Sequence, residues 1–191
     1  MLRLEIMFKN LPKLTQKIQK GFTLIELLVV LGILGILAAA LLATINPVEQ
    51  LNKAQDTNLK NIAAQYVSAN VRYFSVKNAL PWNSTASGGA ACYTAGTTLA
   101  SVPMSSLTAC IQTLITEGEL KQSFLNSNNL NQAIVTNPNP QTNNAADTIV
   151  CFQPKSESQQ RDSNTRYTQS GATGTTCKSQ GGTNNCYWCA Q

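Results

Sequence analysis

A single carboxylate, Glu26, stands near the start of an apolar run that spans residues 22–45. A charge at the centre of a bilayer costs about 2.5–3.5 kcal/mol on insertion scales. A chain that needed only an anchor has no use for it. The other residues with chemical potential are six cysteines: Cys92, Cys110, Cys151, Cys177, Cys186 and Cys189. There is no histidine, which removes the commonest general base and the commonest metal ligand. No nucleophile motif and no phosphate-binding glycine loop occurs either. The sequence therefore argues against an enzyme: it offers no catalytic residue, no metal site and no cofactor site.

The elements that must position Glu26 begin with a basic arm. Before Phe22 there are five basic residues (Arg3, Lys9, Lys13, Lys17, Lys20) against one acid (Glu5), a net +4 of the chain's +5. Positive flanks stay on the cytoplasmic side, so the chain beyond the apolar run points outward. A nucleic-acid footprint is the competing reading of such an arm. The run of 24 residues is about 36 Å long as a helix, against a hydrocarbon core of about 30 Å. It exceeds the apolar core of an ordinary secretory signal, and no small-x-small cleavage site comes after it. Gly32 and Gly35 interrupt it, although each costs about 1 kcal/mol relative to Ala in a helix.

Asn46-Pro47 marks a break or kink. Beyond it, Val48, Leu51, Leu59, Ile62, Tyr66, Ala69, Tyr73 and Val76 recur at three- and four-residue steps, with Gln55 the one polar intruder. Lys53, Asp56, Lys60, Asn70 and Lys77 mostly fall on other faces. The pattern predicts an amphipathic helix with one buried stripe, stopped by Pro81. Together with the apolar run it makes a helix of about 55–60 residues. Residues 105–118 predict a short second helix, capped by Ser105 or Ser106 and ended by Gly118. Residues 132–137, 147–153 and 186–190 read as antiparallel strands. Residues 81–101, 137–144 and 169–176 read as loops. The class is α+β, a long helix with an apolar first half packed on a small antiparallel sheet. Its parts are a leader at 1–21, a membrane helix at 22–45, an amphipathic continuation at 46–80 and a disulfide-bonded head at 81–191.

All six cysteines lie on the side expected to leave the cytoplasm, where an even count reads as up to three disulfides. Cys186-Tyr187-Trp188-Cys189 has the C-x-x-C form. A thiolate-stabilising redox site needs a helix starting at the first cysteine, and a motif that follows a Gly-rich loop, two residues from the C-terminal end, does not offer one. In a strand Cys186 and Cys189 point to opposite faces, so each pairs elsewhere. The expected arrangement is Cys92–Cys110, with two further bridges among Cys151, Cys177, Cys186 and Cys189. A four-thiolate zinc site built from the last four is the alternative, disfavoured by an oxidising compartment. Asp162-Ser163-Asn164 lacks a complete calcium pattern. Asn83-Ser84-Thr85 fits a glycosylation sequon, a triplet too common to carry weight.

The stretch Lys20-Gly21-Phe22-Thr23-Leu24-Ile25-Glu26-Leu27-Leu28 resembles the signal of type IV pilins and pseudopilins. The resemblance implies the ladle-shaped pilin fold. It implies that a prepilin peptidase cuts between Gly21 and Phe22, and that the new Phe22 amine is N-methylated. It implies that the apolar helix first holds the subunit in the inner membrane, amino terminus cytoplasmic, and later packs in the core of an extracellular pilus. It also implies that Glu26 pairs with the Phe22 amine of a neighbouring subunit. Physically, a carboxylate in the first helical turn is favoured by the helix dipole, and a paired buried charge costs far less than an unpaired one. The pair then acts as a register device, because a subunit docked at the wrong height leaves both charges alone. A local salt bridge within one subunit, or a protonated Glu26 facing lipid, is the competing reading. The leader is long at 21 residues, and translation from Met7 would leave 15.

The implied function is that of a structural subunit of a pilus-like filament serving adhesion, twitching motility or DNA uptake. A pseudopilin of a type II secretion system is the nearest alternative. The implied partners are the chain itself, prepilin peptidase, the inner-membrane assembly machinery and the membrane. A tethered module that never polymerises is the other class. In that reading Arg161, Arg166, Tyr167 and Lys178 contact DNA or a surface ligand, although Glu157 and Asp162 interleave with them and weaken the patch.

Overall fold

The computed structural model describes residues 21–44, 46–83, 92–93, 99–137 and 147–191. The chain divides into two compact units, Met1–Asn46 and Pro47–Gln191. In the first, helix α1 (Leu24–Thr44) is built from Leu, Ile, Val and Ala, and its apolar side chains are exposed all round. Its 21 residues make about 31 Å at 1.5 Å per residue. By length and composition Leu24–Leu42 could cross a membrane.

In the second unit, helix α2 (Pro47–Lys77) opens on its proline. Pro lacks the amide proton that a first helical position leaves unused. The expected long helix is thus two helical segments, with Asn46 outside both. Glu49 in the first turn and Lys77 in the last oppose the helix dipole at each end. The helix stops at Lys77, not at Pro81. Asn78 takes a left-handed conformation with φ 53°, and its amide donates to Phe74 O at 2.8 Å, a capping turn that Asn tolerates.

The buried stripe of α2 runs through Asp56, Leu59, Ala63, Tyr66, Asn70 and Tyr73, at alternating steps of three and four, flanked by Ile62, Val67 and Ala69. This corrects the sequence reading at both ends and twice in the middle. Val48, Leu51 and Val76 are 62%, 65% and 73% exposed, outside the stripe that the packed elements cover. Asp56 and Asn70, placed on polar faces by type, are fully buried. Burial of Leu59 or Ile62 is worth about 1.5–3 kcal/mol each.

Strands β1 (Val102–Pro103), β2 (Ile134–Thr136), β3 (Ile149–Phe152) and β4 (Trp188–Ala190) form one antiparallel sheet in the order β1-β2-β3-β4. Val135 pairs with Val150, and Phe152 with Trp188. Val135, Val150 and Phe152 enter the core beside α2. Cys151 alternates to the other face, as strand period requires. Strand β1 was not read from sequence: two residues, one of them proline, carry no period, and an edge tolerates Pro.

Helix α3 (Thr108–Thr116) buries Cys110, Ile111 and Leu114. Neither Ser105 nor Ser106 caps it. They belong to a 3₁₀ turn, Met104–Ser106, and Leu107 stands at the cap without a side-chain bond. Gly118, with φ 81°, does end it. Its amide reaches Ile115 O at 3.0 Å and that of Glu119 reaches Leu114 O at 2.8 Å, the paired bonds of a Schellman turn.

Two carboxylates on α2 hold the segment that enters α4 (Glu157–Gln160). Asp56 accepts the amides of Lys155 at 3.0 Å and Ser156 at 2.9 Å, and the Ser156 hydroxyl at 2.6 Å. Glu49, two turns earlier, accepts the amides of Glu157 at 3.1 Å and Ser158 at 3.3 Å. Partial burial alone would raise the Glu49 pKa. The amides of Glu157 and Ser158 and the charge of Lys53 outweigh it, and the net direction is down. A carboxyl whose folded pKa is depressed adds stability that is full above its unfolded pKa, about 4.3, and lost as pH falls through the folded value. Amide exchange at Glu157 and Ser158, corrected for intrinsic rate, should therefore be protected above roughly pH 5 and speed up below pH 4. Glu49→Gln should remove that pH dependence; an unchanged profile in Glu49→Gln would show that another group controls the segment.

Candidate functional site

At the amino terminus, Gly21, Phe22 and Thr23 precede the helix and are exposed. The first helical bond runs from the Leu27 amide to Thr23 O at 3.3 Å. Glu26 turns back over the helix start, where its Oε2 accepts the Thr23 amide at 2.8 Å and the Thr23 hydroxyl at 2.9 Å. The Thr23 hydroxyl in turn accepts the Glu26 amide at 3.3 Å. This reciprocal arrangement is a capping box, and the Thr-x-x-Glu spacing was its legible signal in the sequence. Among the described residues the carboxylate is thus held by Thr23. It is fixed at the positive end of the helix dipole.

In the head, Cys92 bonds to Cys110, Cys151 to Cys189 and Cys177 to Cys186, with Cα separations of 5.0, 4.1 and 5.4 Å. The first ties the segment before β1 to α3. The second joins directly paired positions of β3 and β4. The third closes the loop leading into β4. Cys186 and Cys189 take different partners, and the last four cysteines make two bridges rather than one thiolate cluster. Gly174 lies against the third bridge: a Cβ there would stand 2.8 Å from Cys177 Sγ, so a side chain would push on the disulfide. Each bridge is worth about 2–4 kcal/mol.

The basic and aromatic residues of the head do not converge. Arg161 is exposed just past α4. The Arg166 guanidinium lies 5.6 Å from the centre of the Tyr167 ring. Lys178 Nζ donates to Gln160 Oε1 at 2.9 Å. Asp162 accepts the Asn164 amide at 2.8 Å, a local turn that uses its carboxylate, and Glu157 lends its amide to Glu49. Among the described residues no group of three or more His, Cys, Asp or Glu could hold a metal ion. Of the sequon, only Asn83 is among the described residues.

A capping box in front of an exposed apolar helix, with a basic arm before it in the sequence and a disulfide-bonded α+β unit after it, is consistent with an α+β pilin fold. Comparison with known proteins points the same way. Residues 16–42 match the prokaryotic N-terminal methylation motif, so the chain carries the type IV pilin signal. It is similar to the fimbrial protein EcpC of Eikenella corrodens, 38% identical over 76 residues. The match takes in 40% of this chain and 48% of that protein, so the chain spans about half the length of the curated relative it matches. No solved structure matches the chain.

Proposed function

We propose that this protein is the structural subunit of a type IV pilus-like filament. A prepilin peptidase removes residues 1–21 and the Phe22 amine is methylated. Helix α1 holds the subunit in the inner membrane, amino terminus cytoplasmic, until it enters the filament core. Glu26 then exchanges Thr23 for the Phe22 amine of a neighbour and sets the register of assembly. The observation that carries this reading is the methylation motif at residues 16–42 leading into a helix whose apolar side chains are exposed among the described residues. Three disulfides and the similarity to a fimbrial protein favour a pilin displayed outside the cell over a pseudopilin of a secretion system. In its native host, electron microscopy of sheared filaments, with mass spectrometry of their subunits, tests it. This chain as the bulk subunit, beginning at methylated Phe22, is the expected result.

Processing has its own test. Gly21→Val should leave the leader attached, because a branched side chain obstructs the close backbone approach that glycine permits. The mass of the membrane-bound product reads this directly. A normally trimmed Gly21→Val chain would place the cut elsewhere.

A further inference from the structure

The buried stripe of α2 carries two polar side chains one helical turn apart, Tyr66 and Asn70, both fully buried. Their hydrogen bonds do not close. Asn70 Nδ2 donates to Tyr66 O at 2.9 Å, a carbonyl that in an α-helix also takes the amide four residues on. That bond sets the orientation of the Asn70 amide, because turning it over would put Oδ1 against a carbonyl oxygen. Oδ1 is the atom left over, and among the described residues it meets no donor. The Tyr66 hydroxyl likewise meets no partner there. The Tyr66 ring stacks on Phe124, with centroids 6.3 Å apart, which limits where the hydroxyl can stand.

The two unpaired atoms belong to one neighbourhood. Burial pushes the Tyr66 pKa up, and the Asn70 side chain pulls it part of the way back, so the amide and the phenol lie close together. At neutral pH the hydroxyl keeps its proton and needs an acceptor, while Oδ1 needs a donor. Stranding either group in an apolar core is costly.

We infer that the core of the second unit binds one ordered water molecule between Tyr66 Oη and Asn70 Oδ1. The water accepts the Tyr66 O–H bond and donates one of its own to Oδ1. The chemistry of the pair selects water over other small ligands. A cation would exchange its hydration shell for two neutral oxygens. An anion would face the lone pairs of Oδ1, and an apolar molecule would leave both groups stranded. A buried water needs two to four polar partners, and this pair supplies two. The water also gives α2 a preferred rotation about its own axis. A helix turned away from this setting would carry both groups off the water and strand them, which is how a satisfied polar network specifies one packing of a core.

The test is a crystal structure of the full-length chain from detergent, at a resolution that shows ordered water. A water peak within about 2.7–3.2 Å of both Tyr66 Oη and Asn70 Oδ1 is expected. No peak there, or a Tyr66 hydroxyl bonded directly to Oδ1, would overturn the inference. In solution, relaxation dispersion of the water oxygen counts the molecules held in the interior. The count should fall by one in the double variant Tyr66→Phe/Asn70→Leu, which replaces both contacts with apolar groups and so strands no polar side-chain atom of its own. An unchanged count in a double variant whose near-ultraviolet circular dichroism matches the parent would also overturn it. The parent crystal decides the point even where the double variant does not fold.

Discussion

Glu26→Val is expected to insert into the membrane, to lose its leader, and then to fail at assembly. Insertion should persist, because an apolar side chain replaces a charged one. Cleavage should persist, because Gly21 and Phe22 are untouched. Loss of the capping box costs the helix start about 1 kcal/mol, too little to unfold a helix of 21 residues in a membrane. Assembly differs, because in the proposed filament the Phe22 ammonium of each added subunit would enter an apolar core with no partner. Breaking a buried pair costs about 3–5 kcal/mol, and the penalty recurs at every subunit, so filaments should be absent or very short. Glu26→Asp keeps the charge with a shorter reach and should do less harm. Fractionation measures insertion, mass measures cleavage, and shearing measures filament yield. Normal filaments from an inserted, cleaved Glu26→Val chain would refute the assembly role. A tethered monomer predicts that outcome, since it has no neighbouring amine to satisfy.

Asp56→Ala should be among the most damaging single changes in the second unit outside its disulfides. The side chain is fully buried and satisfies three donors at once, the amides of Lys155 and Ser156 and the Ser156 hydroxyl. Ser156 is itself fully buried, so water does not easily replace the lost acceptor. Each stranded donor costs about 1–3 kcal/mol, and the sum is about 3–5 kcal/mol after local relaxation. Asp56→Asn keeps one acceptor oxygen and should cost roughly half as much. Thermal unfolding followed by circular dichroism at 230–300 nm, with disulfides intact, reads both. An Asp56→Ala head as stable as the parent would mean that the 155–158 segment contributes nothing to the core.

What the sequence by itself determined is set by period and composition. The unbroken apolar run, the carboxylate one turn inside it and the basic arm before it could be read without coordinates, because membrane compatibility depends on local composition alone. The central turns of α2, the glycine that ends α3 and the positions of β2, β3 and β4 are also products of local rules, since each depends on residues within a few positions of one another. The capping box is local as well, carried by the Thr-x-x-Glu spacing of Thr23 and Glu26.

The tertiary structure decided the rest, wherever the deciding partner lies far along the chain. Asp56 is buried only because amides about a hundred residues later fold onto it; judged by type, a carboxylate belongs outside. Val48, Leu51 and Val76 fit the apolar period of α2, yet among the described residues they stay exposed. Pro103 joins a sheet only because β2 runs beside it. Which cysteine meets Cys151 is set by the register that places β4 against β3, and register is a property of two strands together. A sequence states the preferences of each segment, and packing chooses among them whenever two distant segments must satisfy one another.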